Sequence, residues 1–293
     1  MQSSSPQQVF TMQSSSPQQV LNELNEAASQ LQKEGRFLEA LECLERGLVL
    51  RQRIFGPQSD MVWSACKAAG ELCNLLAMTY LQKEDYGMVS ELLKKAEILT
   101  EKDLPGRAVT YNNFACYCRQ QGRLHASLTY LQKALAIEKR LKKVDNPADA
   151  HLNLCAVLSQ LGRHEEALEH SQAALQLLQD ELFGGPGGAA AAAQKPDRIA
   201  VLSIAYHNLG VEHEFLLQFT ASLKAYTKGV EIATVYLGPD HGITSTLRTS
   251  QLGAAKAIED VKKKEMAKAA AREEKNLARA SKSISASISS AKR

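Results

Sequence analysis

A pairing of two apolar helical stripes across a short turn recurs five times between Val20 and Gly253, and no other feature of the 293-residue chain limits its fold as much. The clearest copy runs Tyr111-Asn-Asn-Phe-Ala115-Cys-Tyr-Cys118, turns at Gly122-Arg-Leu124, and resumes as Leu131-x-x-Ala134-Leu135. The spacing predicts a helix A that ends at Gly122 and a helix B that opens near Leu124. Aligned on that turn, the first unit places Leu24, Ala28, Leu31, Gly35, Phe37 and Leu44 in the equivalent positions. The second places Cys73, Leu76, Ala77, Tyr80 and Leu93, the fourth Leu154, Cys155, Leu158 and Gly162, and the fifth Tyr206, Leu209, Gly210, Phe219 and Tyr226.

Small residues sit where two helices must touch. Ala28, Ala77, Ala115, Cys155 and Gly210 share one position, which would let helix A lie against helix B; Gly47, Ala96, Ala134, Ala174 and Gly229 share another, facing the next repeat. A hairpin of two helices cannot hide its apolar face alone, so the pattern predicts stacked units and an all-α chain. Composition agrees: aromatics are only 5%, beside abundant Leu, Ala, Gln, Glu and Lys, residues that lose little rotamer freedom in a helix.

This recurrence resembles the tetratricopeptide-repeat (TPR) family, whose fold is a right-handed superhelical solenoid, here of about five helix-turn-helix repeats with a long C-terminal helix. The turns at Gly35, Glu84, Gly122, Gly162 and Leu217 are 49, 38, 40 and 55 residues apart, wider than the family's roughly 34-residue unit. Longer helices and the linkers Gly56-Pro57, Asp145-Asn-Pro147 and Gly238-Pro239-Asp240-His241 take up the surplus. Tyr236-Leu-Gly-Pro-Asp-His241 and Tyr206-His-Asn-Leu-Gly210 are similar to the kinesin-light-chain-like subclass.

The expected domain organisation is a disordered segment 1–19, a repeat array 20–253, a basic charged helix 254–280 and a disordered Ser-rich tail 281–293. Met1 to Val9 recurs letter for letter as Met12 to Val20, a polar duplication in which no function is read. Gly184-Gly-Pro-Gly-Gly188 with the alanine run to Ala193 predicts a flexible insertion at 184–196, and without a G-K-[ST] ending it is no phosphate-binding loop. In the last helix, Leu252, Ala255, Ile258 and Val261 form an apolar stripe expected to cap the array, with Glu259/Lys263 and Asp260/Lys264 at i, i+4 spacing.

Catalytic chemistry has no organising motif here, so no enzyme activity and no cofactor are expected: H-E-x-x-H, G-x-S-x-G and a dinucleotide glycine pattern are all missing. His164-Glu165-Glu166 through His170 lacks the spacing of a zinc pair and reads as a solvated face of helix B. Cys43, Cys66, Cys73, Cys116, Cys118 and Cys155 contain no C-x-x-C pair and read as small apolar residues of a reducing compartment. With no apolar run long enough to span a membrane, a cytoplasmic protein is expected.

Asparagine recurs on helix A. Asn25, Asn74 and Asn112 occupy one equivalent site in the first three units, while Asn113, Asn153 and Asn208 occupy the next site in the last three. A side-chain amide offers a donor and an acceptor, so such a ladder could pair with the backbone of an extended peptide. Resemblance to kinesin-light-chain-like grooves carries that role to Asn112, Asn113, Asn153 and Asn208. The carboxylate clamp of chaperone-binding TPR domains finds no lysines at the sites that would need them, which hold Asn112 and Cys116, Asn25 and Ser29, and Ile204 and Asn208. Arg119 is the remaining groove-side residue suited to an acidic group.

Charge is uneven. Residues 254–293 hold eleven Lys or Arg against five Asp or Glu, a surplus of +6, which leaves −3 elsewhere in a chain of net charge +3. Lys262, Lys263, Lys264, Lys268, Arg272 and Lys275 could contact an acidic surface such as tubulin; without interleaved aromatics, nucleic acid is less attractive. The expected function is a non-enzymatic scaffold holding a partner peptide or helix in the concave groove, with the basic helix as a second anchor. Two anchors favour a large cytoskeletal or ciliary/axonemal assembly; the alternatives are a motor-cargo or chaperone-type adaptor, or a regulatory subunit of an enzyme complex.

Overall fold

A computed structural model describes residues 16–291 except 143 and 186, with the side chains of 16–276. Most of the segment 1–19, with its duplication, lies outside the described residues. No strand occurs among those described. The chain divides into two compact units, Met1–Asp145 and Asn146–Arg293.

The first unit holds three hairpins: α1 (Pro17–Lys33) with α2 (Phe37–Phe55), α3 (Asp60–Gln82) with α4 (Tyr86–Leu99), and α5 (Leu104–Gln120) with α6 (Leu124–Glu138). Helix α1 starts inside the segment expected to be disordered, because the Ser16 side chain accepts from the Gln19 N–H at 3.2 Å and Pro17 suits the first turn. The Asp85 carboxylate caps α4 in the same way, accepting from the Met88 N–H at 3.1 Å. Helix α3 packs on α2 behind it and α5 ahead of it, so Leu41, Leu76, Leu93 and Phe114 join one core. Fully burying a leucine such as Leu93 contributes about 1.5–3 kcal/mol.

The second unit holds α7 (Pro147–Gln160) with α8 (His164–Phe183), the short α9 (Gly188–Ala192), α10 (Pro196–Phe215) with α11 (Phe219–Tyr236), and α12 (Gly242–Ala291). The polyalanine run is not simply a flexible loop: α9 forms, and Ala192 is buried in the cluster of Leu178, Leu182 and Ile199. Alanine pays the least entropy of any residue to become helical, and here it finds an apolar wall to lie on.

All five hairpins turn in one way. The N–H three residues past each helix A end reaches back to a carbonyl five residues earlier: Arg36 to Leu31 at 2.9 Å, Asp85 to Tyr80 at 3.1 Å, Arg123 to Cys118 at 2.8 Å, Arg163 to Leu158 at 2.9 Å and Gln218 to His213 at 2.7 Å. This closure needs a left-handed residue just before the donor. Gly35, Gly122 and Gly162 supply it with φ of 72–76°, but Glu84 and Leu217 adopt φ of 60° and 58° with a side chain attached. The ten small residues expected at the helix contacts are all buried.

Helix α12 corrects one expectation. Leu252 is 71% exposed, whereas Leu247 and Ala254, one heptad apart, are fully buried against α11 and α10. Gln251 donates to Thr227 at 2.9 Å and Ser250 lies 3.2 Å from His207 on the same face. Spacing within α12 alone does not fix its register; Leu247 fills the seat beside Gly229, where its Cδ2 would lie 2.9 Å from an added Cβ. Every side chain from Glu259 to Asn276 is exposed, and neither Glu259/Lys263 nor Asp260/Lys264 is among the ion pairs of the described residues. The helix runs to Ala291, into the Ser-rich segment expected to lack order; no glycine or proline interrupts it after Gly253.

Candidate functional site

Helices α3 and α5, the A helices of the second and third hairpins, flank a cavity of about 420 Å³. Leu75, Met78 and Val109 give it apolar walls; Asn74 and Asn113 give it a polar floor; Lys67, Glu71, Asp103 and Asp145 stand around it. Leu75 and Val109 are each 51% exposed, unusual for aliphatic residues within the body of a packed unit.

The floor is a directed chain of hydrogen bonds. The Thr110 hydroxyl donates to the Gly106 carbonyl at 2.9 Å, so its oxygen is left to accept from Asn74 Nδ2, also at 2.9 Å. Asn74 must then present its oxygen to α5, and Asn113 Nδ2 donates to it at 3.0 Å. Asn74 is only 5% exposed, and its burial is offset by these two bonds. Two asparagines from non-equivalent positions of the sequence pattern therefore meet.

The other expected groove residues lie elsewhere. Asn25, exposed on α1, accepts from Arg51 Nη2 at 2.7 Å, and Asn112 Nδ2 approaches Glu138 Oε1 at 3.4 Å. Both contacts cross to helix B of the same hairpin, 26 residues on. This is a repeat-internal role that alignment of helix A alone could not reveal. Asn112 Oδ1 and Arg51 Nη1 are buried without hydrogen-bond partners. Asn153 and Asn208 are half-buried in the second unit, and Arg119 is half-buried and outside the cavity lining.

The histidine segment of α8 is not wholly a solvated face, as its polarity suggested. Glu165 and Glu166 are exposed, but His164 stacks on Phe215 with ring centroids 4.0 Å apart and donates from Nδ1 to Glu212 Oε2 at 2.8 Å. Glu212 is 2% exposed. His170 meets His151 of α7, their Nδ1 atoms 2.9 Å apart. A second cavity, about 360 Å³ and almost wholly apolar, lies between α10 and α12, lined by Ile204, His207, His241, Ile243 and Leu247. Burial pushes His207 below its usual range.

Reactive groups are muted where they are buried. Burial pushes the Cys73 and Cys155 thiols up to about 12, with the nearby Glu45 and Glu212 adding to it respectively, far from the thiolate range of a nucleophile. No three His, Cys, Asp or Glu side chains among the described residues converge to hold a metal ion. No helix among them is long and apolar enough to cross a membrane.

The tetratricopeptide-repeat family profile matches residues 107–148, which cover α5, α6 and the linker to α7. A comparison with curated protein sequences finds no match. Among solved structures, BtubC (BKLC) from P. vanneervenii is 19% identical, with a TM-score of 0.56 over 76% of this chain and 84% of that one. A signal transduction ATPase with a tetratricopeptide-repeat sensor from Pyrococcus horikoshii is 16% identical, with a TM-score of 0.51 over 80% of this chain and 33% of that one. The chain thus carries a tetratricopeptide repeat at 107–148, and the paired helices of each of its two units have the tetratricopeptide-repeat fold.

Proposed function

We propose that this chain is a non-catalytic scaffold that holds an extended segment of a partner protein against the A helices of α3 and α5, in the manner of the kinesin-light-chain-like subclass that Tyr206–Gly210 and Tyr236–His241 resemble. The observation that carries the reading is the trough itself. Half-exposed Leu75 and Val109 stand beside an asparagine floor whose orientation is fixed before any partner arrives. Such a surface joins apolar anchoring with backbone hydrogen bonding, and preorganised groups lose little entropy on binding.

A photo-cross-linking residue placed at Leu75 or Val109 should give a covalent protein adduct in native cells. The same residue at Ile98, 73% exposed on the B helix α4, should give none. Adducts from Ile98 but not from the trough would sink the reading.

A second contact is proposed for α12, because Lys262, Lys263, Lys264, Lys268, Arg272 and Lys275 are all exposed on a stretch that packs on nothing within its unit. Its partner would be an acidic protein surface such as the tubulin lattice, and the scaffold would then belong to a cytoplasmic cytoskeletal or ciliary assembly. Co-sedimentation with microtubules should fall steeply between low and physiological salt and vanish on truncation after Val261. Sedimentation unaffected by the truncation would remove the contact.

A further inference from the structure

We infer that the trough between α3 and α5 is selective for a cationic side chain on an apolar stretch: an arginine or lysine of the partner segment, flanked by an aliphatic residue. The inference rests on the peptide-holding reading above and specifies what that peptide must carry.

The sign follows from the carboxylates around the trough, among which the hydrogen-bond relay leaves a free acceptor. A backbone carbonyl can only accept, so Gly106 fixes the Thr110 hydroxyl, Thr110 fixes the Asn74 amide, and Asn74 fixes the Asn113 amide. Asn113 spends a donor on Asn74, and its Oδ1 accepts no hydrogen bond among the described residues. The end of the relay thus offers the trough the Asn113 Oδ1 as an acceptor, beside the second Nδ2–H of the same amide. Around it stand the carboxylates of Glu71, Asp103 and Asp145 against the single cation Lys67, and none of these four belongs to an ion pair of the described residues. Gly106 contributes again through its missing side chain, since a Cβ there would collide with the Asp103 carboxylate, which lies over the first turn of α5.

The polar rim and floor are thus acceptor-rich, while Leu75, Met78 and Val109 offer the aliphatic surface along which an arginine or lysine stem can lie. A guanidinium supplies several donors in a plane and fits this arrangement; a carboxylate would face like charge with one ammonium to meet it. The acidic group once expected to be met by Arg119 has no complement in this trough.

The test selects short random displayed peptides on the full chain and, in parallel, on the isosteric Glu71→Gln/Asp103→Asn variant, whose helicity is checked by circular dichroism. The wild type should enrich peptides with Arg or Lys beside Leu, Ile, Val or Met. Replacing that arginine by citrulline should weaken binding about tenfold, as loss of a charge-assisted hydrogen bond does, and the loss should shrink toward nothing on the variant. Enrichment of neutral or acidic peptides, or arginine peptides that bind the variant as tightly, would overturn the inference; the peptide-holding reading would survive if those peptides still weaken on Asn113→Ala. Failure to enrich any peptide would remove both.

Discussion

Alanine in place of His164 should destabilise the second unit by about 3 kcal/mol, although the residue opens a helix in a charge-rich stretch. Its Nδ1–H is the recorded partner of the Glu212 side chain, at 2.8 Å. That carboxyl group is 2% exposed, so water has little access to replace the lost donor. Leaving a buried acceptor unpaired costs roughly 1–3 kcal/mol, more when it carries charge, and the stack on Phe215 at 4.0 Å is lost as well. Denaturant unfolding followed by circular dichroism measures the loss. The control is the double variant His164→Leu/Glu212→Leu, which removes donor and acceptor together and should recover much of the stability. Equal losses in single and double variants would show that shape, not the unmet acceptor, sets the cost.

Gly210→Ala should also destabilise the second unit, by about 2 kcal/mol, against the helix propensity that favours alanine by about 1 kcal/mol. A Cβ on Gly210 would lie 2.6 Å from Tyr226 Cδ1 and closer still to Cε1. The Tyr226 ring is 1% exposed and belongs to the core shared with Leu247 and Ala254, so it has nowhere to retreat. Gly253→Ala supplies the reference: that glycine is exposed, with nothing within 4 Å of an added Cβ, and the substitution should be stabilising. A Gly210→Ala variant as stable as the parent would mean that α10 and α11 can separate at no cost.

How far the sequence was legible follows from what each signal measures. Small residues at Ala28, Ala77, Ala115, Cys155 and Gly210 were readable because close helix contact tolerates only small side chains, a constraint that acts on residue type directly. The register of α12 was not, since Leu252 and Leu247 are the same residue type and only the partner surface decides which is covered. The trough was half legible. Asn74 and Asn113 were both singled out on helix A, yet in separate rows, and their bond joins neighbouring hairpins through a geometry that spacing within one helix does not encode. The His164 to Glu212 contact spans 48 residues and left no local trace at all.

The left-handed turns at Glu84 and Leu217 have their own consequence. At these two corners the chain keeps a bulky residue in a conformation that glycine would hold with less strain, and the Leu217 side chain is 75% exposed. Two of the five turns therefore hold a backbone conformation that costs a non-glycine residue about 1–2 kcal/mol, so these corners have less in reserve against local opening than the three closed by glycine.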